Sequence, residues 1–478
     1  MVFSKRVLRF FFYGIFGVTI GHSTLYAQIA NFTSPNGVVE QCIAIQPIPE
    51  GVYSESDHKQ ESKLCSINFY APQISICGKQ KSTSPGTYIF DLTKTNLTQE
   101  QAEQKCTPTD MKGDKLATYK QTMNQKDTSG TFAMSSLLYY HLSRYFETSL
   151  IVPPSVYRTM DKDSHFQRVS QKTVGRGPMN KAGWKHLQEA EKSPETYNEK
   201  TRLFTIDLKQ IYGSMLSSKG EVYGSYFFGT RESGWQNQYF DFKKTPIFMT
   251  LKNPKSFNES FSEGLTALQQ SRKMSSEIGN LPSLAQMHLW VQSTVEMLIM
   301  DFIFSQQDRI GNIDFIWSWA YLQGATLNYV NLEKEFRSLS RVQMVKQNLK
   351  PPVITANLNP VLIQRTIIND NDAGGLSQYN NFTKQFRLLE DVRHLNAQLY
   401  LKLINLAKDF NSHGPIYNYV QTNFVLAKKD FESIGLNIQL ASEILKKSCH
   451  AKNLHFDVDF AKFLNSNGVV TEESVICD

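Results

Sequence analysis

Asp308, Arg309, Asn312 and Asp314 fall together in "QQDRIGNID", directly after the apolar run "VEMLIMDFIF". Two carboxylates, a guanidinium and a carboxamide can act together only if something holds them still. A helix packed on its apolar face and ending in a turn does so. Asp308 lies just past such a helix, and Asn312, four residues on, can orient it or offer a metal ion its carbonyl oxygen. Arg309 supplies a cation for a polyphosphate. Phosphoryl transfer uses these parts: a carboxylate beside the attacking hydroxyl, oxygen ligands for Mg²⁺ or Mn²⁺, and positive charge on the nucleotide phosphates. Asp and Asn are also ordinary turn residues, so the cluster alone does not decide.

A second acidic group adds weight. "VLIQRTIINDNDAGGLS" is a β-type apolar run that delivers Asp370, Asn371 and Asp372 into two glycines. A strand that carries a carboxylate into a glycine-rich turn is how kinases present a metal-binding aspartate, and Asp372-Ala373-Gly374 has the Asp-x-Gly spacing. The ordinary alternative is an acidic turn after an edge strand. The third part is Lys120 in the strand-like "KLATYKQT", a residue type that pairs with nucleotide phosphates when a sheet presents it to a cleft. A lone strand lysine is usually a solvated one; here the order of parts gives it meaning.

The elements that must position these groups can be read from periodicity. "SLAQMHLWVQSTVEMLIMDFIF" has apolar residues at helical spacing, and further helices follow in "NFTKQFRLLEDVRHLNAQLYLKLINLAKDF" and "GLNIQLASEILKKSC". "SGTFAMSSLLYYHLSRYF" is a helix with Ser129 as its expected N-cap, ended by "VPPS". "EVYGSYFFGTRESG" predicts a hairpin or irregular strand pair, and Gly175-Arg176-Gly177 a plain loop. Trp317 and Trp319 in "WSWAYLQ" suit either a lid or core packing, and the core is the commoner place. A mixed first half and a mainly helical second half predict an α+β chain of two lobes.

The 478 residues exceed what one small core needs, and 41% hydrophobic with 20% charged residues is globular rather than disordered. The net charge of +7 is partly concentrated at Lys5, Arg6 and Arg9, and elsewhere the signs are mixed, so no nucleic-acid stripe is evident. "MVFSKRVLRFFFYGIFGVTIGHSTLYAQ" has the basic start, short apolar run and small residues of a secretory signal cut after Ala27. Its apolar run is short for a bilayer span, and no later segment is long and apolar enough for one. Export makes the six cysteines a disulfide framework. Cys42, Cys65, Cys77 and Cys106 can pair in three ways, and Cys449–Cys477 would pin the tail.

These pieces together resemble the Golgi casein kinase / four-jointed family of secretory-pathway atypical kinases. "ATYKQT" resembles that family's phosphate-binding lysine strand, and "LLYYHLSRYFETSLIVPPSVYR" its helix running into Val-Pro-Pro. "MDFIFSQQDR" is similar to its Asp-Phe helix end and catalytic Asp-Arg, with the Asp301-to-Asp308 interval matching, and "IINDNDAGG" to its metal-site strand. The resemblance implies a two-lobed protein-kinase-like fold, a mixed β-rich first lobe and a mainly helical second lobe, with a disulfide-stapled N-terminal extension. The implied division is a signal peptide over 1–27, an extension and start of the first lobe over 28–110, the first lobe over 111–255, and the helical lobe over 256–478. The long interval between Asp308 and Asp370 implies an insertion at about 318–360.

The implied site has Asp308 as catalytic carboxylate, Lys120 and Arg309 on the nucleotide, and Asp370, Asp372 and Asn312 on the metal. A rival register through "GNID" would make Asp314 catalytic. The helix after Lys120 lacks an early acid, so Asp127, Glu100 or Glu103 would have to partner the lysine. The cofactors are ATP and Mg²⁺ or Mn²⁺, and the acceptor a hydroxyl of a protein or a glycan. The alternative is a secreted pseudokinase that binds nucleotide or protein as a scaffold. The expected location is secreted, periplasmic or within the secretory-pathway lumen, without a stable membrane span after signal cleavage.

Overall fold

The computed structural model describes residues 27–106, 113–218, 220–278, 283–333 and 349–478, with Phe336, Gln343 and Gln347. Apart from Ala27, the expected signal peptide lies outside the described residues. Seven antiparallel strands build the first lobe: β1 (Ala27–Thr33), β2 (Val39–Ala44), β3 (Ile74–Gly78), β4 (Thr87–Asp91), β5 (Asp114–Gln121), β6 (Ser155–Asp161) and β7 (Gln210–Leu216). Their spatial order is β1-β2-β6-β7-β5-β4-β3. Ala117 and Tyr119 of β5 enter an apolar cluster with Ile76, Ile89, Trp184 and Met215. Alternate residues of the strand therefore face the other side.

Residues 27–91 supply the first four of these strands. The region up to residue 105 also contains two helices, α1 (Glu55–Cys65) and α2 (Gln99–Lys105). Each begins with a reciprocal capping box, Ser54 with Asp57 and Thr98 with Gln101. Disulfides join Cys42 of β2 to Cys65 at the end of α1, and Cys77 of β3 to Cys106 just past α2. The Cys449–Cys477 bridge forms as expected.

α3 (Ala133–Phe146) starts later than expected, and Ser129 is not its cap. Met123 and Thr131 exchange backbone hydrogen bonds, which keeps residues 129–131 tied to the end of β5. The first helical amide, Ala133, donates instead to Thr122 Oγ1 at 3.1 Å. The predicted hairpin at 221–234 is also replaced. Only β8 (Glu221–Val222) is strand, and Ser225–Phe228 coils into a helical turn. That turn brings Tyr223 and Phe227 into a stack at 4.2 Å and sets Tyr226 on Trp290 at 5.5 Å, contacts that an extended chain would not give.

The second lobe is mainly helical and is organised by the helix Leu284–Phe304, buried on every side from Ala285 onward. It packs against the helix Lys428–His450, the helix Pro246–Leu251 and a second sheet. That sheet comprises β9 (Ile313–Gln323), β10 (Thr326–Asn331) and β11 (Val361–Ile368), in the order β10-β9-β11, with β8 pairing on β9. The expected insertion thus begins as sheet, in the end of β9 and in β10. Trp317 and Trp319 are buried there and serve the core rather than a lid. The molecule has the expected two-lobed α+β layout, a sheet lobe facing a helical one. Among the described residues, no helix is long and apolar enough to cross a membrane.

Candidate functional site

A cavity of about 610 Å³ opens between β5 and the second sheet, and Lys120 lies in its wall. Lys120 Nζ lies 2.5 Å from Asp370 Oδ1 and 2.6 Å from Asp372 Oδ1. One cation from the first lobe therefore meets two carboxylates from the second, 250 and 252 residues away in sequence. Burial works against the Lys120 ammonium, but Asp370 and then Asp372 hold its pKa above the ordinary lysine value. In turn the Lys120 ammonium holds Asp370 well below the usual carboxylate range, against the effect of burial.

Lys115 and Lys79 also line the cavity. Strict alternation along β5 would put Lys115 on the face opposite Lys120. The register with β4 shows why it does not: Phe90 pairs with Lys115 and Ile89 with Ala117, leaving one extra residue in β5. This bulge reverses the alternation and brings Lys115 to the side of Thr118 and Lys120. Lys79 follows β3, and its Nζ lies 5.7 Å from the Tyr88 ring centre, with Lys115 Nζ at 5.3 Å from the same ring. Burial, and next the Lys120 charge, lower the Lys79 pKa.

The acidic wall is fixed by the loop after β11. Asp370 itself has φ 47°, and Gly375 has φ 80°. A Cβ at Gly375 would press on Phe132 and Ser135 at 3.2 Å, so this turn must approach α3 closely. Phe132 N donates to Asp372 O at 2.7 Å and Gln307 N to Ala373 O at 2.9 Å. The loop is thereby pinned both to α3 and to the segment carrying Asp308.

Arg309 is placed differently from the expectation. It is fully buried and faces the protein interior rather than a nucleotide. Its Nε and Nη2 each lie 2.9 Å from a different Asp301 carboxylate oxygen, Nη1 donates to Asn369 O at 2.7 Å and Nη2 to Asn371 Oδ1 at 2.8 Å. Tyr139 of α3 adds a hydrogen bond to Asp301 at 2.8 Å. A carboxylate inside an apolar helix needs such a partner. Arg309 is the peg that locks the Asp308 segment to the Asp370 loop.

Asp308 accepts a hydrogen bond from Trp235 Nε1 at 3.1 Å, and burial raises its pKa. Asn312 steadies the same turn, donating from Nδ2 to Asp308 O at 2.6 Å. Asp314 is on the cavity wall, where Asn369 Nδ2 donates to Oδ2 at 2.5 Å. Burial, and next the Asp370 charge, push its pKa up to about 6. The proposed acid partners of Lys120 lie elsewhere. Glu103 pairs with Arg168 at 2.5 Å, Glu100 accepts from Gln104, and Asp127 is exposed. Lys120 takes its partners from the loop after β11 instead.

The donor set fits a metal–triphosphate. Asp370 and Asp372 converge on one point, and the cavity is walled by three lysines and by Glu221, Asp314 and Asp370. Among the described residues, no three His, Cys, Asp or Glu side chains form a complete cage. Mg²⁺ characteristically needs only one or two carboxylates when phosphate oxygens and water complete its shell. Lys79, Lys115, Tyr88 and Trp235 were missed from sequence. Only Lys115, close to Lys120, left any trace there, and the bulge hid it.

No family model matches the chain, and no curated protein matches its sequence. Among solved structures it is similar to the Golgi casein kinase with Mn/ADP bound, at 11% identity and a TM-score of 0.41, covering 83% of this chain and 77% of that one. A second Golgi casein kinase structure gives 11% identity and a TM-score of 0.40, covering 85% and 79%.

Proposed function

We propose that this chain is an exported, metal- and ATP-dependent kinase that transfers the γ-phosphoryl group to a hydroxyl of a protein or sugar acceptor. The observation that carries this reading is the meeting of Lys120 with Asp370 and Asp372 beside the lysine-lined cavity. Lys120, with Lys115 and Lys79 nearby, binds and orients the phosphates. Asp370 and Asp372 would hold Mg²⁺ or Mn²⁺, which would supply neutralisation of the phosphate charge. Asn312, on the Asp308 turn, acts either as a further oxygen ligand or by fixing that turn.

Asp308 accepts the hydrogen bond of the acceptor hydroxyl and aims its oxygen in line at phosphorus. Its burial favours that role, because a carboxylate shielded from water is a better proton acceptor. Asp314 is the rival for the same task, since it lines the cavity directly. Most of the acceleration comes from position and charge neutralisation rather than covalent chemistry by the protein. Three disulfides support a place in an oxidising compartment along an export route.

A nucleotide-binding scaffold without turnover is the second reading. It is favoured by the absence of any acidic residue in α3, so no carboxylate there draws Lys120 away from the metal loop. ATP turnover and intact mass of the purified mature chain with Mg²⁺ or Mn²⁺ separate the two. The kinase reading expects ADP release and phosphoryl mass increments. Asp308→Ala then lowers turnover by about 10²–10⁴-fold while nucleotide still raises Tm. Undiminished turnover in Asp308→Ala would move the role to Asp314. Nucleotide stabilisation with no turnover in the wild type would select the scaffold.

A further inference from the structure

Asp308 is not alone at the acceptor side of the site. A short arm, residues 229–235, reaches it from a different part of the chain. The arm leaves the helical turn Ser225–Phe228 at Gly229 (φ 82°), passes Arg231 (φ 60°) and turns again at Gly234 (φ 77°). Gly229 is required there: a Cβ would lie 2.7 Å from the Asp241 backbone in addition to the positive φ. The Asp241 carboxylate fixes the arm, accepting from Ser233 N at 3.0 Å and Ser233 Oγ at 2.9 Å.

The arm touches the Asp308 turn at two points. The Trp235 indole N–H donates to Asp308 Oδ1 at 3.1 Å. The Arg231 guanidinium lies against Gly311, where any Cβ would collide with it. Trp235 is 44% exposed, so its N–H could have been satisfied by water. Instead it is aimed at a carboxylate 73 residues away, with its ring set edge-on to the buried Phe382 at 5.2 Å. Phe382 in turn packs on Tyr239 at 5.5 Å, five residues or fewer beyond the arm. A hydrogen bond to an ionised acceptor is roughly twice as strong as a neutral one, and a planar donor on a braced ring also sets direction.

We propose that Trp235 is a positioning residue for Asp308. The indole N–H holds Oδ1, which fixes rotation of the carboxylate and leaves Oδ2 to take the acceptor hydroxyl. Gly311, at φ 99°, is the point of the turn nearest the Arg231 guanidinium. This inference rests on the reading of Asp308 as the acceptor-side carboxylate.

The test uses the mature wild-type chain, Trp235→Phe, Trp235→His and Asp308→Asn. In ¹H–¹⁵N spectra, the indole resonance missing from Trp235→Phe identifies Trp235 among the five tryptophans. That resonance is expected to shift in Asp308→Asn without nucleotide or turnover. In steady-state assays Trp235→Phe, which keeps the ring but lacks the N–H, is expected to lose about tenfold in kcat with KM for ATP unchanged. Trp235→His, which can present an N–H, recovers part of the loss. An indole resonance indifferent to Asp308→Asn would overturn the contact. Wild-type kcat in Trp235→Phe would overturn the positioning role and leave the kinase reading standing. A wild type without turnover would remove the kinase reading, while the resonance would still report the contact.

Discussion

Asp314 sits on the cavity wall with its carboxyl pushed up to about 6, by burial first and by the neighbouring Asp370 charge second. A carboxyl whose folded-state pKa is raised favours the fold in its protonated form. Its contribution is full below the ordinary carboxylate value of 3.8 and is lost as pH rises through about 6. Asp314→Asn, which keeps an oxygen to accept from Asn369, should therefore raise Tm above pH 7 and change it little near pH 4. Thermal scans across that range check the sign. At this scale the grouping of Lys120 with Asp370 and Asp372 was legible because their types fall in a meaningful order along the chain. Arg309 was legible as a functional neighbour but not in its role. Sequence spacing placed it beside Asp308, whereas the acidic Asp301 within the apolar end Met297–Phe304 of its helix was the signal that it would turn inward.

The elements bring these side chains together, and the Asp301–Arg309 pair is their junction. It joins the end of the helix Leu284–Phe304, the Asp308 turn, the Asp370 loop and, through Tyr139, α3. Removing one partner leaves a charge buried without compensation, which typically costs about 3–5 kcal/mol. Arg309→Met should lose stability of that order in urea unfolding and weaken nucleotide binding in the surviving fold, because both loops shift. Much of the helical pattern was readable from period alone. What escaped was set by neighbours: the bulge that turns Lys115 depends on pairing with β4, and the start of α3 depends on the Met123–Thr131 bridge. The helical turn at Ser225–Phe228 exists to place aromatics on Trp290. By contrast, the boxes Ser54-x-x-Asp57 and Thr98-x-x-Gln101 were visible cues to α1 and α2.

For the whole molecule, the two-lobed division followed from a mixed first half and a helical second half. The inclusion of β1–β4 in one seven-stranded sheet did not, because strand order is set by long-range pairing that local patterns do not encode. Disulfides are bound to this architecture. Cys449–Cys477 spans 28 residues and ties the C-terminal tail to the helix Lys428–His450. Replacing both cysteines by Ser should cost about 2–4 kcal/mol. Neither residue lines the cavity, so nucleotide affinity should persist in the folded fraction, as calorimetry would show. The central claim is that a lysine from the sheet lobe and carboxylates from the helical lobe together grip one metal–triphosphate. Its most direct test is calorimetric titration of wild type, Lys120→Ala and Asp370→Asn with a non-hydrolysable ATP analogue, with and without Mn²⁺. The account predicts Mn²⁺-enhanced binding by wild type, loss of that enhancement in Asp370→Asn, and affinity lowered at least about tenfold in Lys120→Ala. Equal binding by all three proteins, or none by the wild type, would contradict it.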